Sequence, residues 1–509
     1  MLRLALICIL AAMAAACAQA QTPALPPLRI DSGLLQGAAE GDAIAYKGVP
    51  YAAPPVGPLR WKPPQPPAPW TGVRAATVFG AICPQTAGMG VPAVATQSED
   101  CLTLNVWVPA HPTGPAPVMV WIHGGGDDAG TAGQPQFDGA PFARDGIVFV
   151  SVEYRLGALG WFAHPALTKE AGPGAPPLAN YGLMDQIAAL QWVKRNIRAF
   201  GGDPARVTVA GESAGGESVL FLMTTPAAKG LFARAIVESG SGWYGYPPLA
   251  KAEAQGLALA RRAGASDGAD AAALRALPVS VLLSAAGEGV GVTIDGRLVK
   301  QPLTQAFAGG DSAKVPLLIG SNSGEDSLLG RSDPKDVLKG YSADQLAALR
   351  TAYGAKALDD DSLGRAIFRD AWMGAPARWY AARQAAHAPT YLYQFAYIPE
   401  FLRSRRKAAG HGFEMLFTFE ALSRAPIPLP ATGADQTEMA LMHGCWVAFV
   451  KTGVPMCPNT AAWPVYSPTD DQLMLFDETK TEVKTGFRKG AYDILDRIEA
   501  GALAKSNAR

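Results

Sequence analysis

Charge is scarce in this chain. Asp, Glu, Lys and Arg make up 17% of its 509 residues, and 44 basic side chains balance 44 acidic ones. No excess of either sign is available to attract nucleic acid or an anionic membrane. Cysteine and histidine are rare as well, at six residues each. No His/Cys cluster has the spacing of metal ligands, so neither a metal nor an organic cofactor is expected. Long apolar runs are missing: the one at residues 4–16 is too short to span a bilayer. Internal repeats are missing too. The 55 glycines and 42 prolines are dispersed, which excludes a fibrous or disordered chain. What remains is 49% hydrophobic residues over a length that can bury a large core.

Residues 1–20 have the pattern of a secretory signal: Arg3, the apolar stretch 4–16, and Ala18-Gln19-Ala20 as a cleavage site. Cleavage after Ala20 would leave a single catalytic domain over 21–509, beginning at Gln21, in a secreted or periplasmic protein. A rival reading makes Cys17 a lipidated N-terminus, for which Ala14 is a poor match. Export implies an oxidising compartment. Cys8 and Cys17 would leave with the signal, and Cys83, Cys101, Cys445 and Cys457 would remain. Four cysteines allow three pairings. The local one, Cys83–Cys101 with Cys445–Cys457, is expected; the alternative for the second pair is a buried free Cys445 beside Trp446.

The stretch 30–41 alternates as an N-terminal hairpin, and 45–51 leads into a Pro-rich loop ending near Trp70. Residues 102–108 alternate as a strand. Residues 118–122 and 148–152 are short apolar runs bounded by turns, as buried parallel strands are. Residues 185–200 carry apolar side chains at helical spacing and stop at Gly201-Gly202-Asp203-Pro204. Further strands are predicted at 207–210, 235–238, 316–320 and 391–397. Strands alternating with helices give an α/β fold with an open, mostly parallel sheet flanked by helices. The site of such a sheet lies beyond the carboxyl ends of its strands. The stretches 250–283 and 338–386 are predicted as helical insertions over that site.

Gly211-Glu212-Ser213-Ala214-Gly215 has the form G-x-S-x-G after the apolar run 207–210. Between a strand and a helix this is a nucleophile elbow, which exposes the serine hydroxyl. A serine needs a base at neutral pH. Folds with this elbow order their residues serine, acid, histidine, which leaves His387, His411 and His443. His387 precedes a strand, at the wrong end for the site. His443 lies in a helical stretch and suits packing or capping. His411, between Gly410 and Gly412, lies in a loop after the strand at 391–397 and is the expected base. The acid belongs just past the strand at 316–320, where spacing alone admits both Glu325 and Asp326. Backbone N–H groups for the oxyanion would come from the loop His123-Gly124-Gly125-Gly126 and from Ala214.

With these residues in place the chain resembles the type-B carboxylesterase family of the α/β-hydrolase fold, over nearly all of residues 30–485. The resemblance runs through Phe200-Gly201-Gly202 and on from Val207 to Gly215. It extends to Glu99-Asp100-Cys101-Leu102-Thr103-Leu104-Asn105-Val106-Trp107-Val108-Pro109. Shorter matches are Lys47-Gly48-Val49-Pro50-Tyr51, Tyr154-Arg155-Leu156-Gly157 and Asn180-Tyr181-Gly182-Leu183-Met184-Asp185-Gln186. It implies Ser213 as nucleophile, Glu325 rather than Asp326 as acid and His411 as base, the last in the run His411-Gly412-Phe413-Glu414. It also implies Gly125, Gly126 and Ala214 as oxyanion donors and a Cys83–Cys101 bridge. Ser239 is similar to a serine that steadies the His–acid pair, and Glu212 to a buried acidic neighbour of the nucleophile.

The function so implied is a secreted serine carboxylesterase that forms an acyl-enzyme on a small-molecule ester, as a monomer or homodimer. Three features depart from the pattern. Asp127-Asp128 replaces the usual aromatic residue after the glycines, Glu217 stands where a small or apolar residue is common, and the Cys83–Cys101 loop lacks the tryptophan of a choline site. The basic run 403–407 is a solvated surface stretch or a cationic rim. A rim would suit polycarboxylate esters of toxins, which a few bacterial relatives cleave; Asp127 and Asp128 oppose that if they face the pocket. A non-catalytic recognition protein of the same fold would be free to discard Ser213, Glu325, His411 and the glycines, and all are present. A lipase would call for an apolar lid, whereas 250–283 is Ala-rich and carries Lys251, Arg261, Arg262 and Arg275. An acyltransferase or amidase would use the same triad.

Overall fold

The computed structural model describes residues 25–86, 95–172, 178–240, 242–243, 245–285, 291–354 and 358–507. The expected signal, with Cys8, Cys17 and the cleavage site after Ala20, lies outside the described residues.

The strands in chain order are β1 (Leu28–Ile30), β2 (Gly33–Gln36), β3 (Ala38–Glu40), β4 (Ala43–Pro50), β5 (Val73–Ala75), β6 (Thr103–Pro109) and β7 (Ala116–Ile122). They continue with β8 (Val148–Val152), β9 (Gly202–Glu212), β10 (Arg234–Glu238), β11 (Leu317–Asn322), β12 (Thr390–Phe395), β13 (Gln472–Phe476) and β14 (Glu482–Thr485). Among the described residues eleven of them form one sheet in the order β14-β13-β12-β11-β10-β9-β7-β8-β6-β4-β3. The run from β13 to β8 is parallel, and the outer strands pair antiparallel. β1, β2 and β5 form a small separate sheet. The alternation over 30–41 therefore spans two pairings: β1 with β2 in the small sheet, and β3 with β4 in the large one. The apolar period continues through Gly37 while the strand changes partner.

The central strands are apolar along their length because helices cover both faces, and β7, β8 and β11 are buried at every residue. Helix α1 (Tyr181–Asn196) starts four residues before the expected Asp185, and its expected tail 197–200 is a 3-10 turn closed by Gly201 at φ 78°. Helix α2 (Ala214–Thr224) leaves the end of β9. The stretch at 250–283 becomes three helices, Leu249–Arg262, Ala271–Arg275 and Val279–Ala285. That at 338–386 contains Ala343–Ala352, Asp360–Arg369, a π-helical turn Asp370–Gly374, and Ala375–Gln384. No helix among the described residues is long and apolar enough to cross a membrane.

Among the described residues two disulfides are present, Cys83–Cys101 and Cys445–Cys457. The first ties the loop before β6 into the core, where both sulfurs are fully buried. Its sequence separation of 18 makes it worth about 3 kcal/mol in the chain-entropy account of crosslinks. The double variant Cys83→Ala/Cys101→Ala should lose about that much in a denaturant titration. An unchanged midpoint and slope would mean that the bridge does not restrain the unfolded chain.

Candidate active site

Ser213 sits between β9 and α2 with φ 56° and ψ −127°. A side-chain-bearing residue takes that conformation only when its surroundings impose it. Here the Ser213 N–H donates to Glu238 O at 2.8 Å, and its carbonyl accepts from the Glu217 N–H at 2.9 Å. A Cβ on Gly215 would lie 2.1 Å from Ile122 O, so the elbow can press against β7 only with glycine there.

Three side chains from three loops meet at this turn. Ser213 Oγ is 2.8 Å from His411 Nε2, and His411 Nδ1 is 2.6 Å from Glu325 Oε2. The loop carrying His411 is pinned by its own N–H, which donates to Ser327 Oγ at 2.9 Å. Glu325 is fully buried in the 3-10 turn after β11. Its second oxygen accepts from the Asn322 N–H and from Ser239 Oγ, each at 2.7 Å. Asp326, the other acid allowed by spacing, turns away and lies 3.6 Å from Arg365. Ser239 thus touches the acid rather than the imidazole. His443 packs elsewhere, on the helix α3 (Gly433–Thr452), with Nδ1 2.7 Å from Thr418 O and Nε2 2.9 Å from Asp145.

Further carboxyls crowd the same imidazole. Glu212 Oε1 is 3.2 Å from His411 Nε2. Burial pushes Glu212 up to about 7; His411 opposes that shift and Glu325 adds to it. Glu414 meets Ser239 Oγ at 3.0 Å and accepts from Asn322 Nδ2. Burial, with Glu212 and Glu325, pushes it up to about 8. Burial and Glu414 likewise raise Glu238, which accepts from Trp446 Nε1 at 2.8 Å. Ser239 has one proton to give. Of its two carboxyl contacts, the one to Glu325 is the shorter, at 2.7 Å against 3.0 Å to Glu414. Burial alone would lower His411, but Glu212 and Glu325 outweigh it and raise the imidazole. The same carboxyls stabilise the imidazolium that forms once His411 takes a proton. The sequence pointed to Glu212 and Ser239; it missed Glu238 and Asn322, and Glu414 appeared only as the end of the His411-Gly412-Phe413-Glu414 run.

The glycine loop follows β7. Gly125 has φ 118°, and a Cβ there would lie 2.0 Å from Ala129 O. Among the described residues no acceptor takes the N–H of Gly125 or Gly126. Gln85 fixes the loop's far end: its amide exchanges two 2.8 Å bonds with the Gly130 backbone and donates to Cys83 O at 3.0 Å. Behind the loop, His123 stacks on Tyr154, and burial lowers it to about 4, so it stays neutral.

Gly125, Gly126, Ala214, Ser213, Glu212 and His411 share one cavity of about 510 Å³. Its other walls include Phe137, Leu328, Met415, Pro426, and Trp372 and Met373 from the π-helical turn. Of the two helical stretches, the second lines this cavity and the first does not among the described residues; in the first, Arg275 donates to Arg60 O at 2.7 Å. Asp127 and Glu217 line it and Asp128 does not. The basic run 403–407 stays outside: Arg403 lies 3.4 Å from Glu478 and Arg406 sits over the Phe413 ring.

A mostly parallel sheet flanked by helices, with a serine at the elbow after its central strand, defines an α/β-hydrolase. The chain belongs to the carboxylesterase family, whose model matches residues 25–495, and it is a carboxylic ester hydrolase. It is 35% identical over 463 residues to fumonisin B1 esterase of Sphingopyxis macrogoltabida, covering 85% of this chain and 83% of that one. It is 34% identical over 477 residues to para-nitrobenzyl esterase of Bacillus subtilis (strain 168), covering 88% and 94%. A solved structure of PNB esterase matches with a TM-score of 0.80 at 31% identity, over 92% of this chain and 99% of that one.

Proposed function

We propose that the chain is an exported serine carboxylesterase that works through an acyl-enzyme on Ser213. The observation that carries this is the unbroken contact Ser213 Oγ–His411 Nε2 and His411 Nδ1–Glu325 Oε2, at 2.8 and 2.6 Å. In this reading His411 takes the proton of Ser213 as the hydroxyl attacks the ester carbonyl. Glu325 holds the imidazole in the acceptor tautomer and stabilises its charged form. The free N–H groups of Gly125 and Gly126, with that of Ala214, receive the oxyanion. The alcohol leaves with the proton from His411, and water repeats the route to free the acid. Residues 1–20 are the export signal and 21–509 the catalytic domain; the two disulfides suit an oxidising compartment.

The test is a panel of p-nitrophenyl esters of rising acyl length, run beside labelling with diisopropyl fluorophosphate. Short esters should turn over quickly, with one label per chain on the Ser213 peptide. A folded protein that takes neither ester nor label would sink the reading. A second reading, cleavage of polycarboxylate toxin esters, is favoured by the 35% identity to fumonisin B1 esterase. The acids Asp127 and Glu217 on the cavity wall oppose it. Fumonisin B1 as a substrate decides between them.

A further inference from the structure

Glu153 and His123 meet because their strands run in register. β7 and β8 are parallel neighbours with Ile122 opposite Val152, so the next residue of each, His123 and Glu153, leaves the sheet beside the other. Both are buried. Glu153 Oε1 accepts from the Ala132 N–H at 2.9 Å and from Thr131 Oγ1. His123 Nδ1 lies 2.8 Å from Gly124 O. A carbonyl only accepts, so Nδ1 carries a proton. The two remaining atoms, Glu153 Oε2 and His123 Nε2, are sealed from solvent, and among the described residues neither has a hydrogen-bond partner. They lie 3.8 Å apart, about 0.6 Å beyond hydrogen-bond length.

Two lone pairs facing each other in a sealed space are destabilising. One proton relieves both atoms: it sits on Oε2 and points at Nε2. Burial raises Glu153 to about 7 against the pull of Thr131 and its backbone donors, and burial lowers His123 to about 4. The other titratable groups facing the pair keep their protons. Tyr51 donates its hydroxyl to Glu153 O and Tyr154 donates its own to His123 O, each at 2.7 Å, and burial holds both phenols above their ordinary range. The charges beyond them are Asp127 and Glu212 near Tyr154, and Arg155 and Asp185 near Tyr51. The last two pair with each other at 2.7 Å.

We propose that Glu153, as the neutral acid, is a positioning residue for the oxyanion loop, holding His123 in the tautomer that fixes the peptide between Gly124 and Gly125. That peptide is planar, and its C=O and N–H point opposite ways. The carbonyl held by His123 Nδ1–H thus belongs to the same rigid unit as the Gly125 N–H, which the reading of Ser213 given above assigns to the oxyanion and on which this inference rests. When the pair gives up its shared proton, a carboxylate faces the Nε2 lone pair. The imidazole relieves that contact by carrying its remaining proton on Nε2 instead of Nδ1, and a lone pair then faces Gly124 O. The peptide turns, and the Gly125 N–H loses its aim.

Two readouts against pH test this: kcat/KM for p-nitrophenyl acetate, and the affinity of an alkyl trifluoromethyl ketone, which forms an oxyanion on Ser213. The neutral acid is the working form, so in the native protein both should fall as the pH rises above about 7. His411, which must be neutral to act as base, governs the acid limb instead. In Glu153→Gln the amide oxygen stays on Thr131 and Ala132, and the NH₂ is a permanent donor to Nε2. Turnover at neutral pH should be rescued and the alkaline limb should vanish from both readouts. Glu153→Met offers no donor and should lose about tenfold or more in kcat and in ketone affinity, with KM moving less. A native profile without an alkaline limb, a limb that persists in Glu153→Gln, or a Glu153→Met variant as active as Glu153→Gln would overturn the proposal. If Glu153→Met does not fold, the Glu153→Gln profile decides. If neither folds, the native ketone affinity decides, and one that is flat above about 7 overturns it. A limb unchanged in Glu153→Gln, with Ser213→Ala inactive, would defeat this inference alone. Turnover that survives Ser213→Ala would defeat the reading of the site itself.

Discussion

Ser213→Ala should lower kcat for p-nitrophenyl acetate by on the order of 10⁵- to 10⁶-fold, the scale seen when a triad nucleophile is removed. The substitution takes one oxygen and leaves the Cβ, so the strained turn keeps the bonds that impose it, from Ser213 N–H to Glu238 O and from Glu217 N–H to Ser213 O. Only the 2.8 Å contact to His411 Nε2 is lost, and Glu212 at 3.2 Å remains beside that nitrogen. Stability should therefore change by about 1 kcal/mol or less, and the melting temperature should stay within a few degrees. What activity survives reflects the oxyanion donors and binding alone. A folded variant that keeps a tenth of native turnover would remove Ser213 from the mechanism.

The elbow was legible because everything that makes it is local: an apolar strand, a glycine on either side of Ser213, then a helix. β7, β8 and β11 were legible because strands covered on both faces are apolar without interruption. The start of α1 was less so. Tyr181 and Gly182 favour helix weakly, and the helix extends over them because Gly182 packs where a Cβ would lie 2.7 Å from the Trp161 ring and from Arg155 O. That contact exists only in three dimensions. The same limit separates Glu325 from Asp326. Neighbours in sequence, they diverge because the 3-10 turn sends one side chain toward His411 and Ser239 and the other toward Arg365. Glu238 and Asn322 gave no signal, since each becomes notable only through burial against residues far away in the chain. The cavity wall was least legible of all. Which of two Ala-rich helical stretches supplies it depends on a π-helical turn at 370–374, for which the sequence carries no marker.

The choice between the two acids gives the second large effect. Glu325→Gln should lower kcat about 10⁴-fold, while Asp326→Asn, which loses only a 3.6 Å contact with a half-exposed Arg365, should change it by about twofold or less. The size follows from hydrogen-bond direction. Glu325 Oε1 accepts from the Asn322 N–H and Ser239, so an amide there keeps its oxygen on those donors and turns its NH₂ toward His411 Nδ1. A donor at that atom forces the imidazole proton onto Nε2, which then donates to Ser213 Oγ and cannot accept from it. The base is lost although every heavy atom stays in place. The pH profile separates this from a loss of fold. Glu212 and Glu325 together hold the imidazole up, so removing one charge lowers its titration point. The acid limb of the residual activity should then shift to lower pH as kcat falls. A profile that keeps its native midpoint, or a larger loss from Asp326→Asn, would mean that the charge on Glu325 does not act on His411.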